Sequence, residues 1–200
     1  LSGASTYRGE TEIRAGTVTI RSDSALGSTF GGTTVRDGAA LQVENSLSSA
    51  ENLAVYGSGR SNTGAIRNLS GDNTLSGAIT LGSATRINSD AGRLNLAGPI
   101  TGAGQSLTVG GAGHTRITGV IGTGTGTVTK DGSGTLTLAA QNTYTGLTTV
   151  QGGVLSFATT HVIGSSNVIH TATGTVVDLN GFNQSIGMIT GTGSIVFDGA

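Results

Sequence analysis

The sequence predicts an all-β chain, wound as a right-handed, single-stranded parallel β-helix of roughly nine coils. Three observations carry that expectation. Glycine is abundant, with 36 residues against a single proline, so tight turns must be frequent. Short runs alternate apolar and polar residues with period two and are rich in β-branched side chains. A motif recurs at a spacing that divides into three coils of roughly 23 residues, within the usual size range of solenoid repeats.

The alternating runs are read in chain order. Thr17-Val18-Thr19-Ile20 and Ala40-Leu41-Gln42-Val43 come first. Arg93-Leu94-Asn95-Leu96 and Ser106-Leu107-Thr108-Val109 follow, then Gly134-Thr135-Leu136-Thr137-Leu138 and Gly174-Thr175-Val176-Val177. Each would bury one face and show Thr, Arg, Asn or Gln to water. Helical periodicity is absent over any long stretch. One coil cannot bury its apolar side alone, but a stack encloses a continuous column. Nine coils at about 4.8 Å would give a rod of about 40 Å. Gly57-Ser58-Gly59-Arg60-Ser61-Asn62 and Gly122-Thr123-Gly124-Thr125-Gly126 are the most linker-like stretches, and both are short enough to be turns. Residues 1–200 therefore read as one continuous β-helix, expected to be a segment of a longer secreted protein.

The recurring motif has three copies, beginning at Leu1, Leu69 and Leu138. Its Leu, Thr and second Gly positions agree in all three. The first and third copies also pair Gly16 with Gly153, Val18 with Leu155, Ile20 with Phe157, and Leu26-Gly27-Ser28 with Ile163-Gly164-Ser165. The middle copy loses the match after Leu81. Structural roles follow from these positions. Tyr7 and Tyr144 are expected to pack, and Gly9, Gly77 and Gly146 to turn. Ile13, Leu81 and Val150 should lie in the core. Asn73 and Asn142, with Ser5 at the third equivalent position, suit a turn in which the side chain bonds nearby backbone.

The third copy also carries a family pattern. Val128-Thr129-Lys130-Asp131-Gly132-Ser133-Gly134-Thr135-Leu136-Thr137-Leu138 is followed by Asn142-Thr143-Tyr144-Thr145-Gly146 and then Thr148-Thr149-Val150-Gln151-Gly152-Gly153-Val154-Leu155. This stretch closely resembles the passenger-associated transport repeat of autotransporters. The Leu1 copy departs at Ser5 and Arg8, and the Leu69 copy at Leu75. The resemblance implies a parallel β-helix at the surface of a Gram-negative bacterium. It also implies export through a C-terminal outer-membrane β-barrel, which this segment does not contain and which would be its one link to a membrane.

Composition narrows the function. Charged residues make up 10% of the chain and the formal net charge is -1, which argues against nucleic acid as a partner. Cysteine is absent, and no apolar run is long enough to span a membrane as a helix. Glu10 and Glu12 alternate with Arg8 and Arg14 and read as a solvated charge ladder. His114, His161 and His170 lack the spacing of a metal site. The glycine-rich stretches precede no helix and so are not phosphate loops. No catalytic, metal-binding or cofactor-binding residues are assigned, no cofactor is expected, and the chain is read as a non-enzyme.

The expected function is a structural or adhesive extracellular rod. Its partners would be further copies, end to end or side by side in fibres, or the surfaces and glycans of host or neighbouring cells. A second reading stays open: a polysaccharide-binding or polysaccharide-cleaving β-helix resembling pectate lyases. That reading requires acids from different coils to converge.

Overall fold

The computed structural model describes residues 1–163 and 168–197. Gly164, Ser165 and Asp198 lie outside the described residues, as does the side chain of His170. The described residues contain no α-helix; one short 3-10 turn spans Arg60–Asn62. The strands form three parallel sheets, stacked as a β-solenoid of about nine turns.

The first sheet has six strands, from Thr11–Ile13 to Ile121–Gly122. The second has nine, from Gly16–Ile20 to Met188–Gly191. The third has eight, from Ser48–Ser49 to Ser194–Val196. Each strand pairs with its counterpart in the next coil, so nearly every ladder bond joins distant parts of the sequence. All six alternating runs of the sequence overlap strands, which are Gly16–Ile20, Ala39–Val43, Arg93–Leu96, Leu107–Gly110, Thr135–Leu138 and Val176–Asp178.

Alternation fixes the interior. In the second sheet, Val18, Leu41, Ile66, Ile87, Val109, Lys130 and Val150 follow one another in register, one per coil. Leu75, Leu96, Ile117, Leu138 and Phe157 form a corresponding column in the third sheet, all buried. The residues between them face outward, because side chains alternate across a strand.

The repeat copies do not occupy equivalent places. Ile13 pairs with Val35, Val35 with Val55, and Val55 with Leu81, so the first two copies share a column of the first sheet three coils apart. Val150 lies instead on the second sheet, in the Val18 column. The strand after it, Val154–Phe157, is on the third sheet, whereas Gly16–Ile20 is on the second. The third copy is thus turned by one side of the solenoid. The reason is physical: strand, short corner of two or three residues and strand form a local module that fits more than one corner. Coil length also varies, as the steps from Val35 to Val55 and from Val55 to Leu81 show, so an offset in sequence need not be a whole number of coils.

A fixed glycine column marks the corner between the third and first sheets. A Cβ on Gly77 would come within 2.1 Å of the Glu51 carbonyl oxygen. One on Gly98 would lie 1.9 Å from the Gly77 oxygen, and one on Gly119 would lie 1.8 Å from the Gly98 oxygen. Coils stack there backbone on backbone, and any side chain would force them apart. Gly146 meets the Gly126 oxygen at 2.2 Å in the same way at another corner, and Gly31 stacks on Gly9.

Leu94 is fully buried in the third sheet. Leu94→Ala is expected to lower unfolding free energy by about 3 kcal/mol, as core truncations do. Thr137→Ala, on the outward face, should change it by less than about 0.5 kcal/mol. Urea denaturation followed by circular dichroism compares the two.

Candidate functional site

The corner between the second and third sheets buries polar side chains that serve the backbone. Asn68 is fully buried, and its Nδ2 donates to the Ala91 carbonyl at 2.8 Å and to Ser89 Oγ at 3.0 Å. Asn73 is also fully buried; its Oδ1 accepts from the Leu47 N–H at 2.8 Å and its Nδ2 donates to the Ser70 carbonyl at 2.8 Å. Each amide joins one coil to another, where corner geometry takes the backbone out of the ladder.

Lys130 completes this corner. It is 3% exposed and sits in the apolar column between Val109 and Val150. Its Nζ donates to the carbonyls of Asp131, Gly132 and Gly152, at 2.7, 2.9 and 3.0 Å. Burial pushes its pKa down to about 8. Sequence reasoning noted Lys130 only as part of the family pattern. The signal for its burial was present, since period two places it on the same face as Val128.

Asn142 does the equivalent work beyond the last strand of the first sheet. Its Oδ1 accepts from the Ile121 N–H at 2.7 Å, and its Nδ2 donates to the Val162 carbonyl at 2.9 Å. Gln184 takes over one coil later, accepting from the Val162 N–H at 2.8 Å. Side-chain amides thereby extend a backbone ladder. Tyr144 is 1% exposed and shares a 2.8 Å hydrogen bond with Thr148 Oγ1; burial pushes its pKa up to about 12. Tyr7 makes the same local bond, 2.6 Å to Thr11 Oγ1. Tyr7 is nevertheless 43% exposed, so the packing expected of it from the repeat is only partial.

The sequence did not single out Glu51. It is 4% exposed, accepts from Thr33 Oγ1 at 2.9 Å, and leaves Oε2 without a hydrogen-bond partner among the described residues. Burial raises its pKa, and the bond from Thr33 opposes this in part.

Four outward acids, Glu12, Glu44, Asp90 and Asp131, meet arginines. Glu12 pairs with both Arg14 and Arg36 at 2.6 Å, and these bonds hold its pKa below the usual range, with Arg14 the larger influence. Glu10 accepts from Thr34 Oγ1 at 2.9 Å. Arg21 pairs with Glu44, and Arg67 with Asp90 at 2.6 Å. Arg86 reaches across the second sheet to Asp131, with both guanidinium nitrogens Nη1 and Nη2 engaged at 2.6 and 2.8 Å. A Cβ on Gly110 would come within 2.3 Å of Arg86 Nη2, so this glycine lets the arginine cross.

Among the described residues, no three of His, Asp and Glu are grouped to hold a metal ion. His161 is exposed, with φ of 52° in a turn. His114 lies on the outward face of the third sheet, beside Arg93 and Arg116. These three, with Thr135 and Thr137, line a shallow hollow of about 400 Å³.

The fold and its faces define a repeat protein whose inside is spent on stacking coils and whose outside is a ribbed polar surface. The family model of the passenger-associated-transport-repeat matches residues 1–20 and 128–157. Those stretches, on a parallel β-solenoid, fit an autotransporter passenger repeat segment. That family implies a surface or secreted location in Gram-negative bacteria. Neither the comparison with curated proteins nor that with solved structures gave a match.

Two titrations are expected at these buried groups. The folded-state pKa of Glu51 is raised, so the folded state is penalised as pH rises through it. Glu51→Gln should therefore unfold at higher temperature than the unsubstituted chain at pH 7, and the gap should close below about pH 4.5. Lys130 has its folded pKa depressed, so the unfolded chain binds the extra proton between about pH 8 and 10.5. Stability contributed by this residue should rise across that window, and Lys130→Met should lack the rise. At pH 7, Lys130→Met should cost about 2 kcal/mol, because three carbonyls lose a charged donor.

Proposed function

We propose that this chain is a structural or adhesive stalk segment, held outside the cell as part of an autotransporter-like bacterial surface protein. The observation that carries the reading is the joint presence of the transport repeat and a solenoid whose coils stack without a break in the second sheet. Rigidity comes from a ladder running along the rod axis, and repeated outward faces offer the same groups coil after coil. The chain acts without catalysis in this proposal. Its chemistry is that of a surface: threonine, asparagine and paired charges, presented in rows.

Partners follow from the same reading. Cell surfaces or glycans would be met side-on by the sheet faces, and lateral contact between copies would build fibres. Attachment to the outer membrane would come through a β-barrel elsewhere in the full protein.

The test is accessibility in the native bacterium. Antibodies raised against this chain should label intact cells, and external protease should remove the label. Labelling that required permeabilised cells would contradict the proposal.

A further inference from the structure

We infer that the outward face of the third sheet, around Arg93, His114 and Arg116, binds a linear acidic polysaccharide carrying carboxylate or sulfate groups. The inference deepens the adhesive reading and rests on it for where the ligand is met.

Register brings the three groups together. Arg93 and His114 are direct partners on adjacent coils. Arg116 lies two residues beyond His114 on the same strand and so faces the same way. Five arginines of the chain are committed to ion pairs: Arg14, Arg21, Arg36, Arg67 and Arg86. Arg93 and Arg116 are in no ion pair among the described residues. Asp72 is one coil from Arg93 in register, and its carboxylate makes no ion pair there either.

His114 is oriented for the role. The Thr135 N–H donates to its Nδ1 at 3.3 Å, so the ring is tied to the next coil through that atom. Nε2 is then the nitrogen left to donate to an anion. Two guanidinium forks and one imidazole N–H line a single hollow, and such forks match the two oxygens of a carboxylate or sulfate.

The neighbours favour a polymer over an isolated anion. Thr74, Asn95, Arg116, Thr137 and Ser156 form one column, one residue per coil. They give hydroxyl and amide partners to sugar hydroxyls on both sides of the positive centre, along the rod axis. No aromatic side chain stands in this column, so charge and hydrogen bonding carry recognition instead of ring stacking. A nucleic acid is disfavoured: two guanidinium groups neutralise few phosphates, and there is no platform for bases.

The experiment titrates the full chain with polygalacturonate and with heparin, at low and high salt, by calorimetry. Arg93→Gln/Arg116→Gln is compared with Arg8→Gln/Arg60→Gln, which changes net charge equally at exposed arginines elsewhere. Circular dichroism and thermal melting establish that each variant keeps the fold. Saturable binding of at least one polymer is expected, weakened by salt. It should fall about tenfold or more in the first variant and hold in the second. Polygalacturonate as the tighter ligand would identify carboxylate recognition, and heparin sulfate recognition. Absence of binding by a correctly folded chain would overturn the inference and leave the rod reading intact. Equal loss in both variants, or equal competition by single-stranded DNA, would also overturn it. A chain without solenoid structure would overturn both readings.

Discussion

The parallel ladder between successive coils is the constraint on which everything else depends. A strand of two to five residues holds few hydrogen bonds of its own. It persists because each coil satisfies the one before it and is satisfied by the one after. The apolar columns make that stacking favourable, since each Leu, Ile or Val buried on its neighbour removes area from water. The outward faces inherit their order from the same ladder. Arg93 meets His114 only because the backbone fixes the register of adjacent coils.

Corners are where this arrangement is hardest to maintain. A turn removes backbone groups from the ladder, yet these corners stay close-packed. Two solutions recur. At Gly77, Gly98 and Gly119 the side chain is omitted and backbone rests directly on backbone. Elsewhere a polar side chain enters the interior and bonds the stranded groups, as Asn68, Asn73, Asn142 and Lys130 do. The second solution exposes the fold to pH only where the group titrates, which singles out Lys130. Glu51 is the exception: it is buried with one oxygen unserved.

Much of the fold was legible in the sequence. Period-two alternation located the strands at Gly16–Ile20, Ala39–Val43 and Thr135–Leu138 because burial on one face leaves a direct trace in composition. The repeat spacing indicated coils, since Ile13 and Leu81 do share a column three coils apart. The position of the third copy was not legible. A local module reads the same whichever side of the solenoid it occupies, and only the sum of intervening coil lengths sets that side. The burial of Lys130 was masked by its charge, although its phase with Val128 pointed inward. The cluster of Arg93, His114 and Arg116 spans two coils, and its members join only once the register is known.

Division of labour between inside and outside explains how such a chain can vary its surface while keeping its shape. Outward residues of the second and third sheets change from coil to coil, while the columns beneath them stay largely apolar. The central claim is the in-register stack, and the lack of cysteine allows a clean probe of it. Thr17 and Thr149 face outward from the second sheet, six coil steps apart through Ala40, Ala65, Arg86, Thr108 and Thr129. Spin labels on Thr17→Cys/Thr149→Cys, measured by double electron–electron resonance, should report one narrow distance of about 29 Å, from about 4.8 Å per coil. A broad distribution, or a separation far from that value, would contradict the continuous stack.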